Sequence, residues 1–266
     1  MDNRLPYWPL WVPIATVFAV LATIFAFGIG FVATGIMKPE MAQVIGPLLQ
    51  IASIFFFLQL FAKITGGSEG PRFGILPISI KSTVGWSILG IISWHLTAHF
   101  LSQLFYGPQG NMDQIQNTSA VLGLNRGGLI TFSGFICVGL IGPITEELLF
   151  RGVLFPALAR WIKVVPAMFL SSILFALVHF TTSSPFDMTI LTFFGIICAC
   201  LYRYSGSLIP SMIFHAFNNT AIFCYTMHFK WYSSMLLLLS VSLIVYCTLF
   251  ISTPTESTHE ELCSQD

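Results

Sequence analysis

Eight stretches of about twenty mostly apolar residues follow one another along this chain, each long enough to cross a bilayer as a helix. They run near residues 11–36, 43–63, 82–105, 130–159, 164–182, 186–204, 207–228 and 231–252. Hydrocarbon offers no partners for backbone N–H and C=O groups, so a lipid-facing segment must satisfy them internally, as a helix does. The expected fold is therefore all-α: a polytopic transmembrane helix bundle of about eight spans. The charge content agrees. Only 8% of the 266 residues are Asp, Glu, Lys or Arg, against about 25% in a soluble domain. The 11 basic and 11 acidic residues cancel, which leaves no electrostatic footprint for nucleic acid.

The apolar stretch from Trp11 to Met37 exceeds the short core of a cleaved leader, so it reads as a retained first span. Residues 1–126 then form an N-terminal set of transmembrane helices without chemical motifs. Residues 127–252 form a motif-bearing helix bundle, and 253–266 a polar tail. Five of the six cysteines lie in apolar segments, where Cys behaves as a small hydrophobe. Cys198-Ala199-Cys200 lacks the second cysteine pair of a zinc ribbon. The C-terminal Cys263-Ser264-Gln265-Asp266 is too polar for a prenylation signal. Asn117-Thr118-Ser119 is a formal glycosylation sequon, relevant only in a eukaryotic secretory pathway.

Lys and Arg favour the cytoplasmic side of a membrane. Arg4, Lys63, Arg72, Lys81, Arg160, Lys163 and Arg203 fall on one side of the expected topology, and Lys38, Arg126 and Lys230 on the other. Seven against three puts both termini in the cytoplasm, in what is expected to be the plasma membrane. Arg151, the remaining basic residue, falls inside a span.

Three short motifs carry the chemistry: Glu146-Glu147-Leu148-Leu149-Phe150-Arg151, Phe175-Ala176-Leu177-Val178-His179 and His215-Ala216-Phe217-Asn218-Asn219. Ionisable groups are costly in hydrocarbon and mark functional sites there. Glu146 lies about as far before the Arg160–Lys163 turn as His179 lies after it. At about 1.5 Å per residue both stand some 25 Å from that turn, at one depth. His215 follows Arg203 closely enough to reach the same layer. Pro143, one turn before the carboxylates, is expected to kink span four and admit water.

Glu147 and Arg151 are four residues apart and can pair, and so share one helix face, as do His215 and Asn219. Glu146 lies about 100° round the helix from Glu147, so one carboxylate is structural and the other chemical. A carboxylate beside a neutral histidine can activate water, and donors on one helix face can hold an oxyanion. That casts Glu146 with His179 as activators, and His215 with Asn219 as donors. A histidine in an apolar helix can equally be a packing residue bonded to a backbone carbonyl. His95 and His99, also four apart, have no carboxylate placed beside them. Phe175 reads as packing at a fixed offset from His179.

The order Glu-Glu-x-x-x-Arg, Phe-x-x-x-His, His-x-x-x-Asn resembles that of the CPBP intramembrane proteases. The resemblance covers roughly residues 127–225, and all three motifs match without departure. That family includes the CAAX prenyl endopeptidases and bacterial proteins linked to bacteriocin processing or self-immunity. The resemblance implies an intramembrane endopeptidase acting on a membrane protein or lipid-associated peptide. It gives Glu146, His179, His215 and Asn219 catalytic roles, with Glu147, Arg151 and Phe175 in support. No cofactor is expected. Zinc would take Glu146, His179 and His215 as ligands, but Asn219 is a poor zinc ligand and a good oxyanion donor, which favours a glutamate mechanism. Two other functions fit the same fold: a non-catalytic membrane immunity or scaffold protein, and a proton-coupled transporter relaying through Glu146 and His179. A transporter's paired halves with interrupted helices are not visible in the sequence.

Overall fold

The computed structural model describes residues 8–27, 30–31, 34–35, 39–65, 73–106, 132–180 and 184–226. The eighth expected span, the sequon, the polar tail, and Arg4, Lys38, Arg72, Arg126 and Lys230 lie outside the described residues.

Every described element is helical. In chain order these are α1 (Trp11–Phe27), α2 (Pro39–Ile64) and α3 (Ile80–Tyr106). After them come α4 (Phe132–Ile162), α5 (Val164–Leu177), α6 (Pro185–Ser205) and α7 (Ile209–Thr226). Within α2–α4 and α6 lie four segments long and apolar enough to cross a membrane, and α1 and α5 are shorter apolar helices. The chain is an integral, multi-pass membrane protein. Large apolar side chains such as Phe18, Phe25, Phe56, Leu96 and Phe100 are exposed on the outside of the bundle, as a lipid-facing surface requires.

The ends of the helices follow local chemistry. α4 stops at Lys163, whose φ of 69° lies in the left-handed region, and α5 begins at the next residue. One residue therefore makes the reversal, and Arg160 belongs to the last turn of α4. Ser184 caps α6 through a reciprocal box with Asp187: its hydroxyl accepts from the Asp187 N–H, and the Asp187 carboxylate accepts from the Ser184 N–H. Gly206, at φ 77°, ends α6 in the left-handed conformation that glycine adopts without penalty.

α4 is not a uniform α-helix. Phe135–Ile141 and Leu148–Leu154 are π-helical, on either side of an α-helical turn, Gly142–Glu147, that carries both carboxylates. Hydrophobic spacing does not predict this departure. One continuous core runs from Trp8 and Val12 through Val153 and Phe155 to Phe194 and Phe214, so α4 is packed by both the N-terminal and C-terminal helices.

Candidate active site

The two adjacent carboxylates have different environments. Glu147 is fully buried, and Glu146 keeps 22% of its side chain exposed. Glu147 Oε1 lies 3.1 Å from Arg151 Nη1, one turn further along α4. The same oxygen is 3.0 Å from His215 Nδ1, and Oε2 accepts from the Ser211 hydroxyl at 2.5 Å. Ser211 and His215 are one turn apart on α7, so one helix face grips both oxygens of the carboxylate. Across the imidazole ring, His215 Nε2 stands 3.7 Å from Glu146 Oε2. His215 thus bridges the buried carboxylate and the accessible one.

The partners assign the histidine protons. A carboxylate paired with Arg151 only accepts, so Nδ1 of His215 carries the hydrogen and Nε2 faces Glu146. His179 Nδ1 lies 2.9 Å from the Phe175 carbonyl, which also only accepts, so Nε2 carries the lone pair of the neutral ring. His179 stands just beyond α5, in a turn over Val178–Phe180 closed by bonds from His179 N to Ala176 O and Phe180 N to Leu177 O. The apolar stretch near 164–182 predicts it within the helix, but α5 ends at Leu177. The backbone bond of the packing reading is therefore present, and it also fixes the ring as a lone-pair donor at Nε2.

Aromatic rings hold this polar group in place. Phe175 is buried, with its ring 5.1 Å from that of His179 and 5.9 Å from that of His215. The Arg151 guanidinium lies over the same Phe175 ring at 4.4 Å, a cation–π contact. Phe194 closes the other side of His215 at 4.7 Å. Phe175 is packing, as its spacing suggests, but it packs against three of the site's charged or titratable side chains.

Asn219 faces the first π-helical stretch. Its amide donates to the Val138 carbonyl at 3.1 Å, and the neighbouring Thr220 hydroxyl donates to Gly139 O at 3.3 Å. One N–H of the Asn219 amide is thus taken and a second remains to point elsewhere. His95 and His99 sit on the exposed face of α3 and belong to no group of three metal-ligating side chains among the described residues.

A metal has one place to go among the described residues. Ligand atoms of Glu147, Cys198 and His215 lie within 4.8 Å of one another, all buried. Glu146, His179 and His215, the set suggested by sequence, do not gather in this way. The donor types of the buried trio suit zinc, but its present bonding does not. Nδ1 of His215 spends its position on Glu147, and both Glu147 oxygens are engaged by Arg151, His215 and Ser211. A dication there would also stand beside the guanidinium.

Sequence reasoning missed Ser211, Cys198 and Phe194. Ser211 had a usable signal, since it lies four residues before His215. Cys198 read as one more small hydrophobe, and Phe194 as one of 26 phenylalanines.

A family model for Rce1-like type II CAAX prenyl endopeptidases matches residues 128–221, the stretch that holds all three motifs. The motif-bearing segment is thus similar to that family of membrane endopeptidases. Among curated proteins, "Putative membrane peptidase YdiL" of Bacillus subtilis (strain 168) is 25% identical over 150 residues, covering 53% of this chain and 57% of that protein. The chain therefore spans a little over half the length of the curated relative it matches. No solved structure matches this chain.

Proposed function

We propose that this protein is an intramembrane endopeptidase that hydrolyses a peptide bond in a membrane protein or lipid-associated peptide. The observation that carries the proposal is the pair of unequal carboxylates bridged by His215: Glu147 is buried and bonded, and Glu146 is accessible, 3.7 Å from Nε2. A scaffold needs the first carboxylate for packing and has no use for the second. The family segment and the curated relative support the same reading.

In this mechanism a water molecule attacks the scissile carbonyl carbon and Glu146 takes its proton. His179, with its lone pair at Nε2, orients that water. The oxyanion is held by the remaining Asn219 N–H and by His215 through Nε2. Because Nδ1 already donates to Glu147, Nε2 can donate only after receiving a second proton, and Glu146 Oε2 is positioned to pass it on. As the C–N bond breaks, that proton leaves with the amine product. Oxyanion donors of this kind are worth about 10²–10³ in rate each.

The test compares the proteomes of membranes containing the wild type with those containing Glu146→Gln. Fragments present only with the wild type are expected, and identical proteomes would leave a non-catalytic immunity or scaffold role. A liposome proton-flux assay separates the transporter reading. Cleavage is expected to persist in the presence of a strong chelator, since the glutamate mechanism uses no metal.

A further inference from the structure

We infer that Ser211 is a positioning residue, which acts through Glu147 to fix the orientation and tautomer of His215. The inference rests on the peptidase reading for its catalytic consequence, but not for its structural content. Ser211 is fully buried, and its hydroxyl donates to Glu147 Oε2 at 2.5 Å. This is a short, charge-assisted bond of the stronger class. A carboxylate held by Arg151 alone is free to rotate about its own Cγ–Cδ bond. Ser211 stops that rotation and presents Oε1, not Oε2, to His215 Nδ1 at 3.0 Å.

The arrangement directs the opposite edge of the ring. With Nδ1–H committed to Glu147, Nε2 must face Glu146, and the ring is wedged between Phe175 and Phe194 so that it cannot flip. Ser211 touches none of the reacting atoms. Its position one turn before His215 means that both ends of the clamp belong to one rigid helix, α7. Any displacement of α7 against α4 would move the two donors together.

The experiment uses the full chain in micelles, labelled with ¹⁵N-histidine, with the His215 resonances assigned by their loss in His215→Asn. In the wild type the protonated ring nitrogen of neutral His215 is expected to be Nδ1. Ser211→Ala is expected to shift those resonances towards a mixture of tautomers. Ser171→Ala serves as a control: it deletes an equally buried hydroxyl that donates only to the Met168 carbonyl of its own helix. It should leave the His215 resonances unchanged. On a fluorogenic peptide built from a cleavage site found in the membrane proteome, Ser211→Ala should lower kcat about ten-fold, with KM within about two-fold. Unchanged His215 resonances in Ser211→Ala would overturn the clamp. Changed resonances with an unchanged kcat would overturn the positioning role. Should no form of the protein cleave any peptide, the peptidase reading fails, and the resonances still decide whether Ser211 sets the histidine.

Discussion

Glu146 and Glu147 differ by one position in the chain, and the helix turns that step into a difference of chemistry. Removing the carboxylate charge at Glu146 touches a partly exposed group with a 3.7 Å neighbour, so Glu146→Gln is expected to abolish cleavage with the thermal midpoint unchanged. Removing it at Glu147 strands Arg151, which is fully buried and whose N–H groups make no hydrogen bonds among the described residues beyond the ion pair. Breaking a buried pair on one side typically costs about 3–5 kcal/mol. Glu147→Gln should therefore lower the thermal midpoint clearly, and a midpoint like that of the wild type would show that the pair carries no stability. Spacing alone made this pair legible, because residues four apart on a helix meet. The bond from Glu147 to His215 was not legible. It joins residues 68 positions apart, and nothing in either motif names the other as its partner.

At the scale of elements, hydrophobic length located a helix in seven of the eight expected stretches, four of them holding segments long and apolar enough to cross a membrane, and the eighth stretch lies outside the described residues. Length could not reveal the π-helical stretches of α4. A π-helix widens the turn and redirects backbone carbonyls, and π-helical turns occur often at functional sites. Here two such carbonyls, Val138 O and Gly139 O, accept from Asn219 and Thr220 of α7. Asn219→Ala removes one of these bonds together with the proposed oxyanion donor. The expected result is a fall of about 10²–10³ in kcat, with binding of an uncleaved peptide retained. Loss of binding with kcat preserved would place Asn219 in the substrate groove instead. The approach of α6 to α4 gives a separate prediction. A Cβ at Gly195 would lie 2.7 Å from Arg151 Nη2 and 2.9 Å from Ser172 Cβ. Neither can retreat in a packed core, so Gly195→Ala should destabilise by about 1–3 kcal/mol, measured by thermal unfolding in detergent. It should also lower activity by shifting the guanidinium off Phe175.

At the scale of the whole molecule, scarcity of charge together with continuous apolar runs of about twenty residues was enough to settle the class, because lipid admits only helices and closed barrels, and a barrel strand alternates apolar with polar residues. The course of the single core was less legible: Trp8 and Val12 pack into the same cluster as the motif-bearing helices, although no motif lies before residue 127. Orientation rests on the distribution of basic residues, seven on one side against three on the other. Two features bear on it locally. The turn at Lys163, with Arg160 beside it, ends α4 and starts α5 on one face of the bundle, and Arg203 lies in the last turn of α6. The Asp187 capping box and the His179 turn lie at the opposite ends of α6 and α5. Arg160, Lys163 and Arg203 should therefore share the cytoplasmic face. Single cysteines placed at 163 and 204 in a cysteine-free background should be labelled by an impermeant maleimide only after the cells are opened. A cysteine at 184 should be labelled in intact cells. Reversal of all three would mean that the active site approaches its substrates from the cytoplasmic side, and labelling of 163 and 184 from the same side would show that α5 does not cross the membrane.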